Sequence, residues 1–182
     1  MNVSDSEIVE TILENAGYAK AAIPDEADYV LINTCAIREG AEQKIWNKLK
    51  SKYNSYKVHN KGTKVGVLGC MAERVKERFL EHKVVDLVAG PDAYRDLPRL
   101  LSLLEGDTEG DAQAAINVQL SQDETYADII PVRKSKDELH AWISIMRGCN
   151  NMCSFCIVPF VRGRERNRAC SSIEDEVRYL RD

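Results

Sequence analysis

Cys149, Cys153 and Cys156 stand in a C-x3-C-x2-C spacing, with Phe155 immediately before the third cysteine. Three thiolates on one short loop can grip three irons of a cubane iron–sulfur cluster and leave the fourth iron open to a substrate or cofactor. Zinc is the competing occupant. A closed zinc site takes four ligands, usually in C-x2-C pairs. The only nearby fourth candidate is Cys170, fourteen residues beyond Cys156, and no histidine follows the loop closely. Cys170 reads instead as the start of a helix, because Ser171 and Ser172 beside it are good capping residues. A loop of unligated thiols is the third alternative.

Two more cysteines follow short apolar runs. Cys35 comes after Tyr29–Asn33, and Cys70 after Lys64–Gly69. Both runs read as parallel strands, and open α/β sheets build their sites at the carboxyl ends of such strands. A free cysteine is also often a small buried hydrophobe. Arg162, Arg164, Arg166 and Arg168 alternate just past the loop. Guanidinium groups pair well with phosphate, so this run is a candidate for a nucleic-acid backbone or an anionic cofactor. A solvated turn with Glu165 partnering one arginine is the plainer reading. Trp46 and Trp142 occupy apolar positions and read as core; His59, His82 and His140 have no partner pattern. Neither G-x-G-x-x-G nor a P-loop is present.

The elements that must position these residues alternate. Ser4 and Glu7 have capping-box spacing ahead of Ile8, Val9, Ile12 and Leu13, which recur as one helix face. A strand over Tyr29–Asn33 and a helix from Ala41 to about Tyr53 follow, the helix carrying Ile45, Trp46 and Leu49 on one side. Ser51 to Lys64 reads as a polar loop. Then come a strand at Lys64–Gly69, a helix at Glu73–His82, a strand at Val84–Ala89 and a helix at Ala93–Leu104. Pro98 costs about 3 kcal/mol inside a helix, which moves the start of the last helix towards Leu97. This alternation predicts an α/β fold: a Rossmann-like parallel-sheet domain over residues 1–105. Residues 106–137 read as a linker, with Ile116, Val118 and Leu120 alternating as in an edge strand. A second domain opens at 138 with a strand over His140–Met146 running into the cysteine loop, then a helix from Ser171 to Asp182.

Composition narrows the class. Of 182 residues, 44% are hydrophobic, as in a globular protein, and the formal net charge is −4. That charge is uneven: residues 133–168, which hold the cysteine loop, carry 8 Lys and Arg against 3 Asp and Glu. Six cysteines behind a polar, acidic N-terminus, with no signal peptide, read as metal ligation in a reducing compartment and not as a secreted disulfide scaffold. No apolar run approaches the roughly 20 residues a membrane span needs. Both ends read as cut, since no strand precedes the first helix and the last helix has nothing after it to pack against.

The spacing of Cys149, Cys153 and Cys156, with a strand before the first and an aromatic before the third, resembles the radical-SAM superfamily. Around it stand Met1-Asn2, Asn33-Thr34-Cys35-Ala36-Ile37-Arg38-Glu39, Gly69-Cys70-Met71-Ala72, Gly90-Pro91, Arg147-Gly148-Cys149-Asn150 and Arg162-Gly163-Arg164-Glu165. Together they resemble the tRNA methylthiotransferase family over essentially the whole chain. The resemblance implies that residues 138–182 begin a radical-SAM (β/α) barrel. It implies a 4Fe–4S cluster on Cys149, Cys153 and Cys156, with S-adenosylmethionine (SAM) on the open iron cleaved by an electron to methionine and a 5′-deoxyadenosyl radical. It implies a second 4Fe–4S cluster for which Cys35 and Cys70 match two ligands; the third is expected two residues before Met1, in a Cys-Gln-Met-Asn string.

The Met-Asn form resembles members that place a methylthio group on N6-isopentenyladenosine beside the anticodon. This implies tRNA as partner, with Arg162, Arg164 and Arg166 as candidate contacts to it, and an electron donor of the reductase, flavodoxin or ferredoxin type. Arg38-Glu39, the stretch from Gly90 to Pro98 and that from Asp123 to Asp128 resemble the eukaryotic, largely mitochondrial branch. This implies a mitochondrial or cytoplasmic setting and a regulatory subunit of a cyclin-dependent kinase as a further partner. A protein-binding module and a zinc-stabilised module without catalysis are the alternatives from other classes.

Overall fold

The computed structural model describes residues 2–36, 39–59, 62–105, 115–117, 120–122, 126–129 and 140–181. Four strands form one parallel sheet in chain order: β1 (Tyr29–Thr34), β2 (Lys64–Gly69), β3 (Leu87–Ala89) and β4 (Ala115–Asn117). Side chains alternate across it, as the two-residue period of a strand demands. Ile32, Val65, Val67 and Val88 face one side; Leu68, Leu87 and Ala89 face the other. Both faces are covered, which is why the strands read as apolar runs and not as alternating ones.

The first face packs against α2 (Glu39–Lys48) and α4 (Cys70–Leu80), with Leu49, Met71 and Phe79 fully buried and Trp46 stacked 4.6 Å from Phe79. The second packs against α1 (Asn2–Asn15) and α5 (Leu97–Glu105), through Ile8 and Val9 on one and Leu97, Leu100 and Leu101 on the other. The parallel α/β domain expected from the alternation is present. Pro98 falls in the first turn of α5, where the missing N–H costs nothing.

Several local expectations change. Ser4 lies inside α1 and does not cap it. The stretch expected as a loop from Ser51 continues the helix: a wide turn at Leu49–Tyr53 leads into α3 (Asn54–His59). Leu49 and Tyr53, four residues apart, pack the wide turn against the core. α4 begins at Cys70, with no loop after β2. Gly69 permits that immediate turn, with φ +90° and a Cβ position only 2.6 Å from the Thr34 carbonyl oxygen. The residues assigned to a linker supply β4 and the buried Tyr126, whose ring stacks on Tyr94 at 5.7 Å. Ile37, Arg38, Val118, Asp123 to Thr125 and most of the remaining linker lie outside the described residues.

The second region differs most from expectation. Of the strand expected over His140–Met146, Met146 alone lies in a strand, β5 (Met146–Arg147), which pairs antiparallel with β6 (Arg166–Asn167). Trp142, expected in the core, is exposed. The expected opening of a (β/α) barrel is therefore not built among the described residues. The chain leaves β5, runs through the cysteine loop and the short helix α6 (Val158–Arg162), returns as β6, and ends in α7 (Cys170–Arg181). Val161 of α6 and the neighbouring Ile157 join the first-face core, which fixes this excursion on the α/β domain.

Candidate thiol site

The carboxyl ends of the parallel strands converge on one edge. Thr34 and Gly69 are register partners, so Cys35 and Cys70 follow side by side, and Asp92 comes just after β3. Cys35 is half-buried and Cys70 is 6% exposed. Burial pushes the Cys70 thiol above its ordinary pKa, and the adjacent Arg162 guanidinium opposes that rise. Arg162 Nε donates to Cys70 Sγ at 3.0 Å.

The cysteine loop sits above this edge on a base closed in two ways. β5 and β6 pair across it, and the Cys149 N–H donates to the Gly163 carbonyl at 3.2 Å. Gly148 makes the closure possible. Its φ is +73°, and an added Cβ would lie 2.0 Å from the Arg164 carbonyl oxygen. Within the loop the Cys156 N–H donates to the Cys153 carbonyl at 3.0 Å. Cys153 and Phe155 are exposed, and Cys149 and Cys156 are half-buried.

Arginines bind the loop to the domain beneath. Asp5 of α1, 1% exposed, places one oxygen 3.0 Å from Arg147 Nη1 and the other 2.5 Å from Arg162 Nη2. One carboxylate thus holds both stems of the loop. Burial works against the charged form of Arg162, but Asp5 and Cys70 outweigh it and raise its pKa. Arg147 and Arg166 are register partners across β5–β6, where like charges opposed would repel. Each has its own carboxylate. Arg166 grips Asp92 through both terminal nitrogens, at 3.0 and 3.1 Å. Arg147 also lies over the Tyr126 ring, 4.6 Å from its centroid. Arg168 joins Glu176 of α7 at 2.5 Å and the Ser144 carbonyl at 3.0 Å.

This placement corrects the reading of Arg162 and Arg166 as contacts to a nucleic acid. Both are buried and paired with carboxylates, so neither faces solvent; only Arg164 of the three is exposed. Sequence reasoning also missed Asp5 and Asp92. The signal for Asp5 was available, since it shares the apolar face of α1 with Ile8, Val9 and Ile12, where an unpartnered carboxylate is costly.

All six cysteines are free thiols. Among the described residues, no three His, Cys, Asp or Glu side chains stand close enough together to hold a metal ion. The loop thiols fit an iron–sulfur cluster in donor type: three soft ligands on one closed loop, one of them exposed. Their side chains must turn towards one another to bind it. Cys35 and Cys70 offer two donors where a three-thiolate cluster needs a third. The pair does not by itself fit such a group.

A parallel α/β domain thus bears two thiols at its strand ends, and a three-cysteine loop is clamped to it. Residues 1–90 match the model of a family described as Uncharacterized protein family UPF0004. The chain is 56% identical over 181 residues to the tRNA-2-methylthio-N(6)-dimethylallyladenosine synthase of Christiangramia forsetii, covering 99% of this chain and 36% of that protein. It is 55% identical over 184 residues to a CDK5RAP1-like protein of Caenorhabditis elegans, covering 100% of this chain and 32% of that protein. It is 53% identical over 185 residues to the mitochondrial tRNA methylthiotransferase CDK5RAP1 of Homo sapiens, covering 99% of this chain and 30% of that protein. The chain thus spans about a third of the length of the curated relatives it matches. No helix among the described residues is long and apolar enough to cross a membrane.

Proposed function

We propose that the chain is the thiol-bearing part of a radical-SAM tRNA methylthiotransferase acting on N6-isopentenyladenosine beside the anticodon, at C2. In this reading Cys149, Cys153 and Cys156 hold a 4Fe–4S cluster whose open iron takes the amino and carboxylate groups of SAM. What supports it most is the 53–56% identity to proteins named as tRNA methylthiotransferases, which runs over the whole chain, cysteine loop included. When bound, the cluster and SAM would supply one-electron chemistry and a methyl group.

The chain's own residues do the positioning. Gly148 lets the loop close, and Asp5 and Asp92 hold its stems against the α/β domain. Exposed Cys153 leaves one side of the loop open to a ligand. Cys35 and Cys70 serve a second thiolate-bound group only together with a third donor. Arg164 remains the exposed cation near the loop for a tRNA phosphate, and Arg164→Ala should make the salt slope of RNA binding shallower by about 0.7–0.9. An electron donor of the flavodoxin, ferredoxin or reductase class goes with this chemistry, in a mitochondrial or cytoplasmic setting.

Anaerobic reconstitution with ferrous iron and sulfide tests the proposal. The protein should turn brown, with thiolate-to-iron absorbance, and the electron paramagnetic resonance signal of the reduced form should change when SAM is added. A colourless protein that retains zinc, or a signal indifferent to SAM, sinks it.

A further inference from the structure

We propose that Arg162 is a positioning residue that ties the cysteine loop to the buried thiol of Cys70, so that a single guanidinium holds the two thiol sites in register. Arg162 is the last residue of α6, directly after the loop, and its side chain is 3% exposed. Its Nε donates to Cys70 Sγ at 3.0 Å while its Nη2 meets Asp5 Oδ2 at 2.5 Å. The other oxygen of Asp5 takes Arg147, which directly precedes Gly148 and Cys149. The loop is therefore gripped on both sides, and the grip on one side passes through the sulfur at the start of α4.

The fixed fork of a guanidinium explains the choice of residue. Its donors point in set directions from three separate nitrogens, so one side chain reaches a sulfur and a carboxylate at once; a lysine carries its three donors on one nitrogen and lacks that fork. Nη1 of Arg162 has no hydrogen-bond partner among the described residues. The buried cation is thus held by the Cys70 sulfur and the Asp5 carboxylate. The arrangement is specific, since a guanidinium that merely filled space would not need to meet both groups.

The functional consequence rests on the reading of these thiols as ligands: the separation between whatever the two sites hold is set by Arg162. The link itself is testable without any metal. The metal-free chain, kept reduced, is treated with N-ethylmaleimide, the rate at each cysteine is read by peptide mass, and amide hydrogen exchange is followed in parallel. In the unmutated chain Cys70 should react slowly and exposed Cys153 quickly. Arg162→Lys should raise the Cys70 rate by about tenfold or more, as local opening becomes easier. Exchange should rise together in residues 149–156 and in the first turn of α4.

Arg162→Ala should lose the same protection, and millimolar methylguanidinium should restore it where methylammonium does not. If Arg162→Ala fails to fold by circular dichroism, Arg162→Lys decides alone. An unchanged Cys70 rate in Arg162→Lys overturns the proposal. So does a faster Cys70 with no change in loop exchange, which would make Arg162 a local cover and not a link. An unmutated chain that shows the expected rates yet takes up no iron would leave this link standing and remove the cofactor reading.

Discussion

Replacing Asp5 with asparagine keeps the shape of the side chain and removes the one negative charge that two buried guanidiniums share. Asp5 is 1% exposed, and its partners Arg147 and Arg162 have side chains 4% and 3% exposed. Breaking a buried ion pair by removing one partner costs about 3–5 kcal/mol, because an uncompensated charge stays behind. Arg147 keeps the Tyr126 ring and Arg162 keeps the Cys70 sulfur, so the lower part of that range, about 3 kcal/mol, is expected. Against a whole-domain stability of about 5–15 kcal/mol this is a large fraction. Urea unfolding followed by far-ultraviolet circular dichroism reads it as a fall in midpoint at constant m-value. Arg162→Met should also destabilise, and the Asp5→Asn, Arg162→Met double variant should lose clearly less than the two singles added together. A cost below about 1 kcal/mol for Asp5→Asn, or strict additivity, would refute the clamp.

Glu73 gives a pH signature. Burial raises its carboxyl to about 7, against a reference value of 4.5, and Asp92 adds to the rise while Lys76 opposes it. The folded state therefore favours the protonated form, so stability falls as pH rises from about 4.5 to about 7; Glu73→Gln should flatten that slope in urea titrations across the range. Gly148→Ala meets a left-handed backbone costing about 1–2 kcal/mol as well as the Arg164 carbonyl. It should speed amide exchange over residues 149–156 and lower iron uptake, while exchange in β1 and β2 stays slow. Cys170→Ser should keep iron content and spectrum, because Cys170 lies exposed at the start of α7, beyond the clamped base of the loop. A loss as deep as that of a loop cysteine would bring back a four-thiolate site.

The α/β domain was legible because its strands announce themselves as apolar runs and its helices as one-sided stripes. Ile32, Val65, Val67 and Val88 needed no tertiary information to be placed in a core. The stretch Asn54–His59 was misread as loop because it is polar and shows no apolar stripe of its own, yet it continues the helix from Leu49–Tyr53. Strand β5 was overextended at His140–Met146 because apolar residues such as Trp142 and Ile145 look buried, although both are exposed here. The cysteines were found by spacing, which is local. The ion pairs that hold them were not, because Asp5–Arg162 joins residues 157 positions apart. Reading Arg162, Arg164 and Arg166 as phosphate contacts followed from their charge and from the Arg162-Gly163-Arg164-Glu165 resemblance, neither of which shows the buried carboxylates opposite Arg162 and Arg166.

The central claim is that Cys149, Cys153 and Cys156 together hold one cluster. The most direct measurement is iron, sulfide and zinc content after anaerobic reconstitution, in the unmutated chain and in Cys149→Ala, Cys153→Ala and Cys156→Ala. The account predicts about four irons and four sulfides per chain without zinc, as a single cubane requires, and a collapse of both in each variant. Full iron retention in Cys153→Ala, or stoichiometric zinc in place of iron, would contradict it.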